Sequence, residues 1–329
     1  MNEPRALILL PRLQIQNANA VSGPLTWGFP SPTAFTGFVH ALQRRLTDEF
    51  QQGFGGVGIV CHKFEPQVSR PAGKHTKVFQ LTRNPLDKDG KTAAITEEGR
   101  VHMEVSLLFT LYDSVGSDQQ EYLAFKIMEV VHTMRLAGGS ILPQRQGKRY
   151  EAQLTSLSPS QMEQDKTFRK LRRQLLPGFA LVQREDRLEA HLIEMRESNS
   201  HATALDALLD LTRLNIEPGQ ANPDKPDETQ WTIHKNPGWL VPIPVGYAAI
   251  SPIYKPGEVL NTRDAETPFR FVENLYSLGE WISPHRLTTL GQLLWHYQTE
   301  TEHGIYCCIN HYPQYQQNIS NDKKELQHG

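Results

Sequence analysis

The order in which the hydrophobic pattern changes period constrains this fold most: strand, helix, strand, basic excursion, strand, helix, all before Gly138-Gly139. Ala6 to Leu10 is a short apolar run that reads as a buried strand. Ile15 to Arg45 crosses a polar turn carrying Asn17 and Asn19, then a Pro/Gly-rich stretch, then a helix over Pro32 to Leu46. Pro32 suits a first helical turn, and Phe35, Phe38, Val39 and Leu42 follow helical spacing. Gly53 to Gly58 reads as a loop, and Val57 to Phe64 as a strand. Ser69 to Gly99 is polar and basic, with Asn84-Pro85 and Asp89-Gly90 as turn signals, which predicts a long projecting hairpin or loop. Val101 to Leu111 is a strand, and Glu121 to Leu136 a helix ended by Gly138-Gly139. A further strand is predicted at Gly178 to Gln183.

This order predicts an α+β fold, a ferredoxin-like, RRM-type antiparallel sheet with helices on one face. Residues 1–185 would form that core, with the basic excursion at about 66–100. Residues 186–312 would form an extension packed on the same core. It has helices at Arg187–Glu197 and Ala202–Leu214, a flexible insertion at 217–230, and irregular strands over Trp231 to Tyr312. Residues 313–329 would be a polar tail, and no internal repeat is present.

Composition excludes several classes. The formal net charge of -2 counts against a free-standing nucleic-acid binder, though not against a local basic surface on a subunit whose other faces meet protein. The three cysteines, Cys61, Cys307 and Cys308, have no metal-ligand spacing, and their odd count argues for a reducing compartment. The first apolar run is too short for a signal sequence, and no window approaches a membrane span. A cytoplasmic location is expected, with no membrane contact.

The candidate chemistry is recognition rather than catalysis. GFGGVG (Gly53 to Gly58) matches a dinucleotide fingerprint but precedes a strand instead of opening a helix, so a loop role is expected. Between Lys63 and Lys91, seven basic residues face three acids, a local excess in an acidic chain. Such residues contact phosphates or simply face water. Lys166, Arg169, Lys170 and Arg173 share one helix face, opposite Phe168, Leu171 and Leu175, which reads as a solvated face, a contact with nucleic acid or an acidic partner, or, less well given the small apolar face, a membrane-surface helix. The thirteen histidines form no HxxxH pair. Trp239, Trp281 and Trp295 are expected in the core, whereas Trp27, in a Pro/Gly turn, suits base stacking. No catalytic residue, metal site or cofactor is implied.

Longer motifs carry a specific resemblance. LLPRLQIQNANAVSGPLTWGFPSPTAFTGFVHALQRR, GVGIVCHKFEPQ, KVFQLTRNPL, EEGRVHMEVSLL, MRLAGGSILP, RRQLLPGFALV, NPGWLVPIP and TPFRFVENLYSLGEWISPHR run nearly collinear from about residue 6 to about 297. The chain resembles the second Csy subunits of type I-F CRISPR surveillance (Cascade/Csy) complexes, which are Cas-five-type RAMP proteins. The resemblance implies a non-catalytic subunit with an RRM-like fold. Such a subunit holds the 5′ handle of the CRISPR RNA, pairs with the large Csy subunit, abuts the terminal backbone subunit and lies near target DNA. It would make the basic excursion a thumb-like projection and Gly138-Gly139 the glycine-rich loop of RAMP proteins. RNA contacts are then expected from Arg12, Asn17, Asn19, Trp27, Lys74, Lys77, Arg83, Arg135, Gly138 and Gly139, with Arg12, Lys77 and Arg83 on phosphates. The alternatives are a CRISPR-RNA-processing endoribonuclease and a protein-only structural adaptor.

Overall fold

The N-terminal apolar run continues far past Leu10, because strand β1 spans Ala6–Asn19. The computed structural model describes residues 3–80, 86, 89–92, 98–218, 231–234, 236–262 and 264–315. Period-two alternation lets β1 serve two layers. Ala6, Ile8 and Leu10 enter one hydrophobic core, and Leu7 and Leu9 another. Pro11 does not end the strand, because a bulge between Leu10 and Leu13 lies beside it, and sheets tolerate proline at such irregularities.

A short hairpin, β2 (Val21–Gly23) and β3 (Thr26–Trp27), leads to helix α1 (Pro32–Arg45). The Ser31 hydroxyl caps α1 by accepting the Thr33 N–H at 3.1 Å. Arg44 and Arg45 in its last turn complement the helix dipole. Phe35, Phe38, Val39 and Leu42 are all buried, and each contributes about 2 kcal/mol by leaving water.

The predicted glycine loop is instead part of a strand, β4 (Phe54–Pro66). A side chain on Gly56 would meet the His296 ring, and one on Gly58 would meet Leu293. These glycines let the C-terminal chain close onto β4, which sequence spacing does not reveal. Two short strands, β5 (Val68–Ser69) and β6 (Val78–Phe79), pair at the base of the excursion. Asp89-Gly90 forms a turn, whereas Asn84-Pro85 lies outside the described residues. Strand β7 (Arg100–Leu111) lies between β1 and β4.

Helix α2 (Gln120–His132) stops before the predicted Leu136. The Thr133 hydroxyl donates to the Val130 carbonyl at 2.7 Å and so competes with the helical ladder. The chain then makes a hairpin, β8 (Arg135–Leu136) and β9 (Gly139–Ile141). Strand β10 (Gln153–Ser156) pairs with β1. Helix α3 (Gln161–Arg172), strand β11 (Phe179–Gln183), and helices α4 (Glu185–Ser198) and α5 (Ala204–Thr212) follow. A hairpin of β12 (Asn215–Pro218) and β13 (Trp231–His234) flanks residues 219–230. The expected flexible insertion falls mostly there, outside the described residues. The C-terminal strands are regular rather than irregular: β14 (Leu240–Ala249), β15 (Val272–Ile282), β16 (Leu294–Glu300) and β17 (Ile305–Asn310).

These elements build one large antiparallel sheet. Strand β11 pairs with both β15 and β4, so β4, β16, β17, β14, β15 and β11 form a closed hydrogen-bonded circuit. The buried Trp295 donates its indole N–H to the Leu181 carbonyl at 2.8 Å. Gln183 and Asn310 lock β11 to β17, each backbone N–H donating to the other's side-chain oxygen at 3.2 and 2.9 Å. Helices lie on both faces of the sheet, where the sequence predicted one. Helices α1 and α2 pack with Ile8 and Leu10, whereas Phe168 and Leu171 of α3 pack with Leu7 and Leu9. Among the described residues no helix is long and apolar enough to cross a membrane.

Candidate nucleic-acid interface

Strand β1 is bulged twice, at Arg12 (φ 51°) and at Asn17 (φ 57°), where its register against β7 shifts. Bulges re-aim side chains and end regular pairing. The two do so in opposite environments.

The first bulge points inward. Arg12 donates to Glu104 Oε1 at 2.7 Å and to the Leu176 carbonyl at 3.1 Å, and its backbone N–H donates to Ser106 Oγ at 2.9 Å. Arg145 donates to the other Glu104 oxygen at 2.9 Å. The Arg12 and Glu104 side chains are only 8% and 10% exposed. Burial alone would raise Glu104, but the two guanidiniums hold it below the usual carboxylate range. Beside them, His62 Nδ1 lies 2.6 Å from the Pro177 carbonyl. A carbonyl only accepts, so Nδ1 carries the proton, and Nε2 accepts from the Ser106 hydroxyl at 2.7 Å. Burial pushes His62 down to about 4, so the ring is neutral at physiological pH. The Arg12 guanidinium is thus engaged by Glu104 and Leu176 rather than free for the phosphate contact expected from the sequence.

The second bulge opens to solvent. The side chains of Gln16, Asn17 and Asn19 are exposed. The Asn17 backbone N–H donates to His102 Nδ1 at 3.2 Å. The Asn19 side chain braces the following turn, donating to the Val21 carbonyl at 2.8 Å and accepting the Val21 N–H at 3.1 Å. The Asn19 N–H donates to the Ala137 carbonyl at 2.8 Å, which sets the β8–β9 turn beside it. Ala137 and Gly138 have φ of 50° and 75°, the left-handed pair that a tight two-residue hairpin demands. Gly138 is thus a hairpin turn residue, not the helix end predicted. Gly139 lies where a Cβ would strike Ile15 and the backbone of Ala18 and Gln16. Arg135 is exposed, and its guanidinium reaches the Gly138 carbonyl at 3.4 Å.

Trp27 adds an aromatic face. It is 57% exposed and meets Phe79 edge-on, with ring centroids 5.4 Å apart. Phe79 belongs to β6, so this contact docks the basic excursion beside the open bulge. Lys74 and Lys77 are exposed between β5 and β6, and no acid among the described residues pairs with them. Arg83 lies outside the described residues. The structure therefore gathers Asn17, Asn19, Trp27, Arg135, Gly138 and Gly139 at one end of β1, with Lys74 and Lys77 on an adjoining hairpin.

Arg169 and Lys170 on α3 and Arg173 just past its end are exposed, and Lys166 pairs with Glu163 at 2.7 Å. Only Trp295 of the three expected core tryptophans is fully buried. Trp239 is 55% exposed and lines a groove of about 610 Å³ with Trp27, Phe179 and Trp281. Its NPGW context, a turn directly before a strand, was the available signal. Among the described residues no three His, Cys, Asp or Glu side chains gather where they could hold a metal ion.

These features define a class: a large antiparallel-sheet protein with exposed amides and an aromatic face at one end of its longest described strand and two exposed lysines on an adjoining hairpin. The chain belongs to the Csy2 family of CRISPR-associated proteins, whose model, "CRISPR-associated protein (Cas_Csy2)", matches residues 8–308. It is 55% identical over 312 residues to the CRISPR-associated protein Csy2 of Pseudomonas aeruginosa (strain UCBPP-PA14), covering 93% of this chain and 95% of that protein. Both findings agree with the resemblance to second Csy subunits.

Proposed function

We propose that this chain is a non-catalytic, RNA-binding subunit of a type I-F CRISPR RNA-guided surveillance complex. It works in the cytoplasm, holds the 5′ handle of the CRISPR RNA, pairs with the large Csy subunit and abuts the terminal backbone subunit, close to target DNA. The observation that carries the reading is the convergence at the second bulge. Exposed Asn17, exposed Trp27 and Arg135 come from separate segments to one end of β1, and the Trp27–Phe79 contact seats beside them the hairpin that carries Lys74 and Lys77. Single-stranded RNA is read by that combination of amide edges, stacking faces and cations. The succession β1, α1, β4, β7, α2, β10, with β4–β7–β1–β10 adjacent in the sheet, supports reading this part as a ferredoxin-like, RAMP-type core. The Lys74–Lys77 hairpin is then its thumb-like projection.

The test is RNA retention by complexes assembled with wild-type chain or with the Lys74→Glu/Lys77→Glu double variant. Handle capture predicts a clear loss of CRISPR RNA from a folded variant. Unchanged retention would favour the protein-only adaptor. Cleavage of a precursor CRISPR RNA by the purified wild-type chain would favour the endoribonuclease.

A further inference from the structure

The first glycines of GFGGVG line a cleft between α1, β4 and β16. Strand β4 pairs with β16 at Val57 and Gly58, and it bulges against β7 between Phe54 and Val57. Beyond Val57 the two strands separate and leave a cavity of about 310 Å³, the size of a small-ligand site. A Cβ on Gly55 would meet the Tyr112 hydroxyl, and one on Gly56 would meet the His296 ring. Glycine at these two positions lets both polar groups reach the cleft wall. Leu111, which precedes Tyr112, pairs with Ala6. The cleft therefore lies at the opposite end of β1 from Asn17, roughly 35 Å away along the strand.

Its lining is polar, uncharged and unpartnered. No Lys, Arg, Asp or Glu side chain lines it. Burial and the neighbouring His311 hold His296 below the usual histidine range, so its ring is neutral at physiological pH and offers one donor and one acceptor. No hydrogen bond joins the His296 ring, the Tyr112 hydroxyl or the Tyr297 hydroxyl to any described residue. Gln43 accepts the Phe54 N–H at 3.2 Å, and its amide NH2 has no partner among the described residues. Convergent donors and acceptors that the fold leaves unpaired are satisfied by a small polar ligand. A phosphate or carboxylate would lose its hydration here and meet no counter-charge, so the occupant is neutral.

The rings set its shape. Tyr247, Tyr306 and Tyr297 form a row across β14, β17 and β16, with centroids 5.3 and 6.1 Å apart and planes within 17° and 16° of parallel. His40 on α1 extends the row at 6.0 Å and 23°, and both His40 and Tyr297 are exposed. Another flat ring continues such a row by offset stacking. A flat, uncharged ring edged with donors and acceptors is a nucleobase.

We propose that this cleft binds a single nucleobase, stacked on the His40–Tyr297 pair with its polar edge toward Tyr112, His296 and Gln43. The base arrives as a free nucleoside or swings out of a strand that passes this end of the molecule. The site is separate from the second bulge and does not depend on handle capture, so either reading can fail alone.

The experiment is saturation-transfer NMR of the purified full chain with adenosine as the probe. An azidoadenosine photolabel, located by mass spectrometry, then reports the site without reliance on any variant. The proposal predicts transfer to the base protons of adenosine, label on the peptides carrying Tyr112 or His296 and Tyr297, and no competition by inorganic phosphate. Tyr112→Phe, which removes only the hydroxyl, should weaken binding about 3- to 10-fold. Tyr297→Ala, at an exposed position, should weaken it by about tenfold or more. Tetra-adenylate that labels the same peptides and binds more tightly than adenosine identifies a strand as the source, and matching affinities identify a free nucleoside. Absence of transfer with wild type, label confined to residues 17–27, competition by phosphate, or unchanged binding in both variants overturns the proposal.

Discussion

Two bulges on one strand, at Arg12 and at Asn17, begin from the same backbone irregularity and end in opposite roles. At Arg12 the re-aimed side chain meets an acid and two carbonyls and is buried, while the backbone N–H donates to the Ser106 hydroxyl. At Asn17 the side chain meets solvent, while the chain around it is braced by Asn19 and the β8–β9 turn. The first is a clamp that joins β1 to β7 and to the Leu176-Pro177 turn. The second presents chemistry. What separates them is whether the facing strand supplies Glu104, not anything local to Arg12 or Asn17.

Removing one partner of the clamp should give the largest effect on stability. Arg12→Ala leaves Glu104 buried with only Arg145, and the expected loss is about 3–5 kcal/mol, read as a lower midpoint in denaturant unfolding. RNA affinity per folded molecule should not change. A large loss of RNA binding at unchanged stability would erase the distinction between the bulges.

The lysine hairpin should behave in the reverse way. Lys74→Glu with Lys77→Glu should weaken RNA binding by on the order of tenfold or more. The salt slope should shrink by about 0.7 for each phosphate that a lysine no longer neutralises. Stability should stay within about 0.5 kcal/mol, as for other exposed substitutions. Filter binding across a salt series, with parallel melts, checks both.

Acid should attack the clamp first. The folded state holds His62 near 4, whereas an unfolded histidine titrates near 6.5. Between these values the unfolded chain binds a proton that the folded chain does not. Stability is therefore full above about pH 6.5 and falls as the pH drops toward about 4, by up to about 3 kcal/mol. Glu104, also held down, adds a loss at lower pH, as its folded form is forced to take a proton. His62→Gln should flatten the upper part of this dependence in melts run at stepped pH.

The smallest expected effect sharpens the comparison at the open end. Gly138→Ala puts a Cβ at φ 75° with open space around it. It should cost about 1 kcal/mol from the left-handed backbone alone and reduce RNA affinity only modestly, through a shifted Arg135.

How much of this is legible in the sequence follows the same division. Helix α1 is readable because Ser31, Pro32 and the spacing of Phe35, Phe38, Val39 and Leu42 all act within a few residues. The length of β1 is not, because Pro11 and the Asn17–Asn19 stretch have turn chemistry that bulges absorb. Asn17, Asn19, Trp27 and the lysine hairpin stand out by residue type, and the structure brings them together. Arg12 misleads as a candidate phosphate contact because its partner lies 92 residues away on β7. Gly138 resembles a helix end because a cap and a tight hairpin use the same left-handed glycine. Trp239 and Trp295 are equivalent as letters, and only the closed strand circuit buries one and exposes the other.

The most direct test is ultraviolet crosslinking of the CRISPR RNA handle in the assembled complex, with the modified peptides located by mass spectrometry. Handle capture at the second bulge predicts crosslinks within residues 17–27 and 74–83, and none at Arg12 or Arg145. Crosslinks confined to the Arg12–Glu104 clamp, or a stable complex with no crosslink to this chain, would contradict it.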